Sequence, residues 1–218
     1  MLDKFRCDYM VQFYGAVFIS QKICMVTEFA KYGSLKDLMK ARKEQKPRTL
    51  ICLKMMLDGA KGIEYLHDNG ILHRDIKPDN FLVITLEDNV PVNCKMTDFG
   101  SARNVNQMMT NMTFTKGIGS PAYMAPEILN KQKYKKPSDV YSFAITMYET
   151  LGWCECYPKK EFKFPWKIAE FVVNGNRRPQ PDEIPENLYE IIKSCWIHNP
   201  LERIPIEDAI SLLSSFQM

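Results

Sequence analysis

Apolar residues recur along this chain with two periods, and the periods divide it unevenly. Between residues 10 and 29 two apolar runs, Met10 to Ser20 and Lys22 to Phe29, are rich in Val, Ile, Phe and Tyr and meet at Ser20-Gln21, which predicts a β-hairpin. After it the pattern turns helical. Lys31-Tyr32-Gly33-Ser34 reads as a turn with Ser34 as N-cap, and Leu35, Leu38 and Met39 mark one face of a short helix reaching about Lys43, ahead of the helix-breaking Pro47. From Thr49 to about Asp68, Ile51, Met55, Ala60, Ile63 and Leu66 keep helical spacing. Leu53, Met56 and Leu57 widen that stripe enough to predict a helix buried within a helical layer, stopped by Asn69-Gly70.

Phe81 to Ile84 and Val92 to Met96 read as short strands joined by the polar turn Glu87-Asp88-Asn89. Residues 101–120 show no period and read as a long loop, of the kind that in a compact domain serves a function or stays disordered. A helix then runs from Pro137-Ser138 through Val140, Phe143, Ala144, Met147 and Leu151. Further helices are expected near 166–173, 186–197 and 206–216, between Pro-rich stretches. There is no internal repeat and no low-complexity tract.

Composition changes this picture little. With 218 residues, 45% hydrophobic and 25% charged, the chain has the make-up of a globular protein with a substantial core. A net charge of +3, with basic and acidic residues interspersed, points to no nucleic acid and no anionic membrane as partner. No window approaches the roughly 18 apolar residues of a membrane span, and the charged N-terminus has no signal-peptide core. The seven cysteines are odd in number and set mostly in apolar surroundings, as in Ile51-Cys52-Leu53, which suits reduced thiols and a cytoplasmic protein. Cys154-Glu155-Cys156 has no second pair or histidine cluster to complete a zinc site, and Asn111-Met112-Thr113 has no secretory context.

The chemistry is concentrated in His73-Arg74-Asp75-Ile76-Lys77-Pro78-Asp79-Asn80. Phosphoryl transfer needs a carboxylate to orient the acceptor hydroxyl, a cation to offset charge on the moving group, and an oxygen ligand for Mg²⁺. Asp75, Lys77 and Asn80 supply these in order. Asp98-Phe99-Gly100 follows the second strand pair and offers a further oxygen ligand in Asp98. Beyond the long loop come Gly119-Ser120-Pro121-Ala122-Tyr123-Met124-Ala125-Pro126-Glu127, then Ser138-Asp139-Val140-Tyr141-Ser142-Phe143, and Arg203.

Motifs of these kinds in this order resemble the carboxyl-terminal lobe of a protein kinase. Val26-Thr27-Glu28-Phe29, Gly33-Ser34-Leu35, Cys195-Trp196 and Asn199-Pro200 look most like the tyrosine-kinase-like group, whose members mostly phosphorylate Ser or Thr. Lys77 and Gly119-Ser120-Pro121 resemble the serine/threonine type, in which Ser120 would hydrogen-bond toward Asp75 and Lys77. The resemblance implies an α+β, protein-kinase-like fold: residues 1–28 a remnant of the N-lobe, with the end of a helix and two strands, and 29–218 a mostly helical C-lobe. It implies ATP and Mg²⁺ as cofactors and protein substrates in signalling. Asp75 would be base, Lys77 charge stabiliser and contact to ATP, and Asn80 and Asp98 metal ligands. Thr27 would stand at the back of the adenine pocket, the backbones of Glu28 and Ala30 would bind the adenine edge, and Leu82 would pack beneath it. Phe13, His73 and Phe99 resemble members of an apolar stack, Asp139 would bind the His73-Arg74 backbone, and Glu127 would pair with Arg203. Arg74 beside Asp75 suggests control by an upstream kinase acting on Thr110, Thr113 or Thr115.

The resemblance also calls for a Gly-rich loop, a strand lysine and a helix glutamate, and none occurs ahead of residue 29; Gly15 is isolated. Met1 would fall within the last turns of the helix that carries the glutamate, so the N-lobe is expected to be largely missing. Two readings follow: a serine/threonine kinase represented in part, or a non-catalytic, kinase-like binding module.

Overall fold

The computed structural model describes residues 7–19, 22–104 and 120–216. Its architecture is α+β, with most of the core between helices. Strands β1 (Phe13–Ile19) and β2 (Lys22–Thr27) form one antiparallel hairpin, followed by helices α1 (Leu35–Ala41) and α2 (Thr49–Asp68). Strand β3 (Ile71–Leu72) leads into the His73–Asn80 loop, and β4 (Phe81–Val83) pairs with β5 (Cys94–Met96). Strand β6 (Arg103–Asn104) returns to β3. Helices α3 (Pro126–Leu129), α4 (Lys136–Gly152), α5 (Pro165–Val173), α6 (Glu186–Cys195) and α7 (Ile206–Ser214) complete the body.

Helices α2 and α4 are its axis. Every residue from Ser138 to Gly152 is buried, which explains why this helix reads as apolar around most of its circumference. Helix α2 packs against α4, α7 and β5. Its wide stripe of buried Ile51, Met55, Ala60, Ile63 and Leu66 serves all of these neighbours.

The β4–β5 hairpin lies on α2 with Phe81, Val83, Cys94 and Met96 fully buried. Close approach is possible because α2 carries Gly59 and Gly62. A Cβ on Gly59 would overlap the Phe81 ring, and one on Gly62 would stand 2.8 Å from the Met96 sulfur. Asp58, in the same turn, accepts hydrogen bonds from the N–H groups of Asn93 (2.7 Å) and Cys94 (3.2 Å), tying β5 to the helix. Burial pushes its carboxyl up to about 6, against the lowering effect of those two donors.

The first strand starts later than its apolar run. Met10 and Val11 are buried because the chain there runs beside Met96, with Val11 N–H donating to Met96 O and Met96 N–H to Tyr9 O, both at 2.8 Å. The free hairpin begins at Phe13, and its side chains are largely exposed: Phe18 78%, Met25 68%, and Phe29 just beyond it 86%.

Other boundaries shift slightly. Helix α1 ends at Ala41, with the Ser34 hydroxyl accepting from Asp37 N–H at 3.1 Å as its N-cap. The two-residue strands β3 and β6 and the single turn of α3 are too short to leave a period in the sequence. Residues 103–104 of the expected loop are thus paired. Thr110, Thr113 and Thr115 lie outside the described residues, as does the side chain of Phe99. Among the described residues no helix is long and apolar enough to cross a membrane. All seven cysteines are free thiols, and burial raises the Cys154 and Cys156 thiols, so neither is poised as a ligand or nucleophile.

Candidate catalytic site

Ile71 and Leu72 are buried, and the chain then turns sharply, Arg74 taking φ 72°. A left-handed backbone at a non-glycine residue costs on the order of 1–3 kcal/mol and persists only where its surroundings hold it. Asp139 on α4 does so. Its Oδ2 accepts from His73 N–H and its Oδ1 from Arg74 N–H, both at 3.0 Å. The same carboxylate meets His67 Nε2 at 3.0 Å and the Tyr134 hydroxyl at 2.7 Å. Burial pushes the Asp139 carboxyl up, but the His67 and Tyr134 hydrogen bonds and the nearby His67 and His73 outweigh it and hold it below the usual carboxylate range. The sequence pointed to Asp139 and the loop backbone; His67 and Tyr134 left no local signal.

The loop so held brings four expected residues together. Lys77 Nζ donates to Asp75 Oδ2 at 2.6 Å and to Ser120 Oγ at 3.2 Å. Asn80 Nδ2 donates to Asp75 O at 2.7 Å and to Asp75 Oδ2 at 3.2 Å. With its amide hydrogens so used, Asn80 presents its carbonyl oxygen elsewhere. Thr97 N–H donates to Asn80 O at 3.0 Å, so the strand that carries Asp98 is fixed to Asn80 one residue ahead of it. Asp98 has φ 60°, is exposed, and accepts from Gly100 N–H at 3.2 Å. Asn80 and Asp98 offer only oxygens, which suits a hard cation such as Mg²⁺. His73 contributes its ring edge, Nε2 lying 3.1 Å from Thr97 O.

The residues expected around adenine lie where β2 ends. Thr27 is exposed, its hydroxyl donating to Glu28 O at 3.3 Å, and Glu28 N–H donates to Gln12 O at 3.0 Å. Ala30 N–H has no partner among the described residues. Leu82 is half-buried and bridges to Ser34, so the segment after Ala30 runs beside β4. The Glu28 side chain has a role the sequence did not announce: its carboxylate accepts from Gln12 N–H at 2.7 Å and from Lys95 Nζ at 2.9 Å, joining the hairpin to β5. Only the fold relates residues so far apart.

Beyond the long loop, Ser120 precedes a short turn of helix at Pro121–Tyr123, and the Tyr123 hydroxyl donates to Glu149 Oε2 at 2.8 Å. Burial first, and then Glu149, raises the Tyr123 phenol. Beneath this turn Arg203 holds Glu127 with two bonds of 2.9 and 3.1 Å, and the Ser138 hydroxyl adds a third at 2.9 Å. Arg74 sets its guanidinium 5.9 Å from the centre of the Tyr134 ring. Its Nε is buried with no partner among the described residues, and burial together with Arg103 lowers its pKa.

Known proteins share this arrangement of sequence. The chain is 31% identical over its whole length to "Probable serine/threonine-protein kinase gdt9" of Dictyostelium discoideum, of which it covers 15%. It is 34% identical to serine/threonine-protein kinase STY17 of Arabidopsis thaliana over 98% of this chain and 36% of that protein. It is also 33% identical to dual specificity protein kinase shkB of Dictyostelium discoideum, over 93% of this chain and 30% of that protein. The chain therefore spans about a third or less of the length of these relatives. The family model for protein tyrosine and serine/threonine kinases matches residues 1–213, and the chain belongs to that family.

Proposed function

We propose that this chain carries the substrate-facing part of an ATP-dependent serine/threonine kinase, which transfers the γ-phosphoryl group to Ser and Thr hydroxyls of protein substrates in cytoplasmic signalling. The observation that carries this reading is Lys77, whose ammonium lies between the Asp75 carboxylate and the Ser120 hydroxyl. Lys77 and Asn80 occupy Asp75 Oδ2, leaving Oδ1 to orient the acceptor hydroxyl and take its proton. Lys77 offsets charge on the transferring group. Asn80 Oδ1 and the Asp98 carboxylate would hold Mg²⁺, which when bound neutralises charge on the phosphate oxygens. The carbonyl of Glu28 and the N–H of Ala30 would take the adenine edge, with Thr27 behind and Leu82 beneath.

Residues 1–28 are assigned to the N-lobe and 29–218 to the C-lobe. An upstream kinase would act on Thr110, Thr113 or Thr115, the added phosphate pairing with Arg74. Phosphotransfer from labelled ATP to a serine-containing protein tests the reading. Asp75→Asn should lower it by at least ~10³-fold with folding unchanged, on the scale of lost general-base and orienting effects. Undiminished transfer in that variant would remove Asp75 from its role.

A second reading, a non-catalytic binding module, is favoured by the exposed apolar side chains of the β1–β2 hairpin. It predicts partner binding with no dependence on Asp75.

A further inference from the structure

Charge is unevenly spread along this chain. Between residues 156 and 178 stand six basic residues and two acidic ones, so this stretch carries more positive charge than the whole chain, whose net is +3. The small total, which by itself points to no anionic surface as partner, is an average over unlike parts. Within the stretch both carboxylates are taken. Glu161 accepts from Nη1 of Arg178 and, at 3.2 Å, from its Nη2, and Glu170 accepts from Lys167 at 2.9 Å. Arg177 is half-buried and donates to the carbonyls of Trp196, Val172 and Asn176. Glu155 and Glu183, just outside the stretch, line a groove beside α1. Lys159, Lys160 and Lys163 are exposed and form no ion pair among the described residues.

Apolar surface lies among these ammonium groups. Phe162 turns inward, its ring edge-on to those of Tyr157 at 5.1 Å and Phe171 at 5.3 Å. Phe164 and Trp166, at the start of α5, are instead 42% and 60% exposed. Their rings stack on each other, 4.3 Å between centroids and within 5° of parallel, and Lys163 Nζ stands 5.7 Å from the centre of Phe164. Helix α5 is anchored by buried Ile168 and Val172, so the two rings project from a fixed base. A single-stranded nucleic acid stacks its bases on open ring faces. Here each ring covers one face of the other, and Lys163 lies over Phe164. An anionic lipid surface needs no open face: it takes aromatic rings into the headgroup layer and draws ammonium groups toward its charge.

We propose that residues 159–167 seat this protein on an anionic lipid surface, with Phe164 and Trp166 entering the headgroup layer and Lys159, Lys160 and Lys163 facing the lipid charges. The proposal goes beyond the kinase reading and does not depend on it. The two share a compartment, because anionic lipids are carried by the cytoplasmic leaflet.

The test uses the whole chain with two kinds of vesicle, phosphatidylcholine alone and an equal mixture of phosphatidylcholine and phosphatidylserine. Co-sedimentation gives the affinity, and tryptophan emission reports entry of Trp166 into the headgroup layer. The mixed vesicles should bind at least roughly 10-fold tighter at low salt, with the difference shrinking at high salt. The triple variant Lys159→Glu/Lys160→Glu/Lys163→Glu should abolish the preference, whereas Lys22→Glu/Lys31→Glu/Lys43→Glu, at exposed positions outside this stretch, should keep it. Phe164→Ser/Trp166→Ser should weaken binding to the mixed vesicles by roughly 10-fold and remove the blue shift of emission on binding, with circular dichroism unchanged. Equal binding to the two vesicles, equal effects of the two triple variants, or tighter binding of a single-stranded oligonucleotide than of the mixed vesicles would overturn the proposal. Undiminished binding of Phe164→Ser/Trp166→Ser would overturn it as well, by moving the contact to the exposed β1–β2 hairpin.

Discussion

The two longer hairpins of this protein are both built from apolar residues, and they have opposite fates. In β4–β5 alternate residues point into α2 and Phe81, Val83, Cys94 and Met96 are wholly buried. In β1–β2 nearly every side chain is exposed, including large ones such as Tyr14, Ile23 and Met25. The difference lies in what stands opposite. Helix α2 offers β4–β5 two glycines and a backbone-binding aspartate, whereas β1–β2 is held at its base by Met10, Val11 and the Glu28 contacts. Strand propensity reports fitness for a pleated surface; burial needs a partner.

The largest break in the comparison should come from matched truncations. Phe81→Ala should cost ~3–5 kcal/mol, the scale for removing a buried aromatic ring, and Phe18→Ala no more than about 0.5 kcal/mol. Urea unfolding of both variants checks it; comparable losses would mean that the first hairpin is covered in solution.

A second difference concerns pH. Asp58, which binds β5, titrates in the folded chain at about 6, above its unfolded value of roughly 3.9. A raised carboxylate pKa favours folding most below the unfolded value, and that contribution is lost as pH rises from about 4 through about 6. Its full size is on the order of 3 kcal/mol. Asp58→Asn, which stays neutral while keeping an acceptor oxygen, should flatten the stability profile across that window. Unfolding midpoints near both ends check it, and an unchanged slope would remove Asp58 as its source.

The smallest effect is on solubility. Phe18→Ser with Met25→Thr should leave unfolding within about 0.5 kcal/mol of the parent and reduce self-association, seen by light scattering. Amide exchange sharpens the contrast without mutation: β1–β2 should exchange well ahead of β4–β5.

Much of the fold can be read from residue spacing. Helix α2 has the bounds its apolar stripe predicts, from Thr49 to Asp68, and α4 differs from expectation by about a residue at each end. The three residue types suited to phosphoryl transfer are legible within eight positions because one loop holds them. What is not legible is reciprocal and distant. Glu28 meets Lys95, Asp58 meets Asn93, and His67 and Tyr134 converge on Asp139. Each pair is joined only after the helices pack, and none leaves a period in the chain. The pairs β3–β6 and the turn of α3 escape for another reason, since two to four residues cannot display a repeat.

Asp139 also has a consequence for motion. It is rooted in the most enclosed helix of the molecule and grips two successive amides of the loop that carries Asp75. The loop therefore takes its frame of reference from the core, as an instrument does when bolted to bedrock. Any movement of the first hairpin against this floor would be taken up on the Glu28–Ala30 side, where the Ala30 N–H has no partner among the described residues, while the floor beneath keeps station.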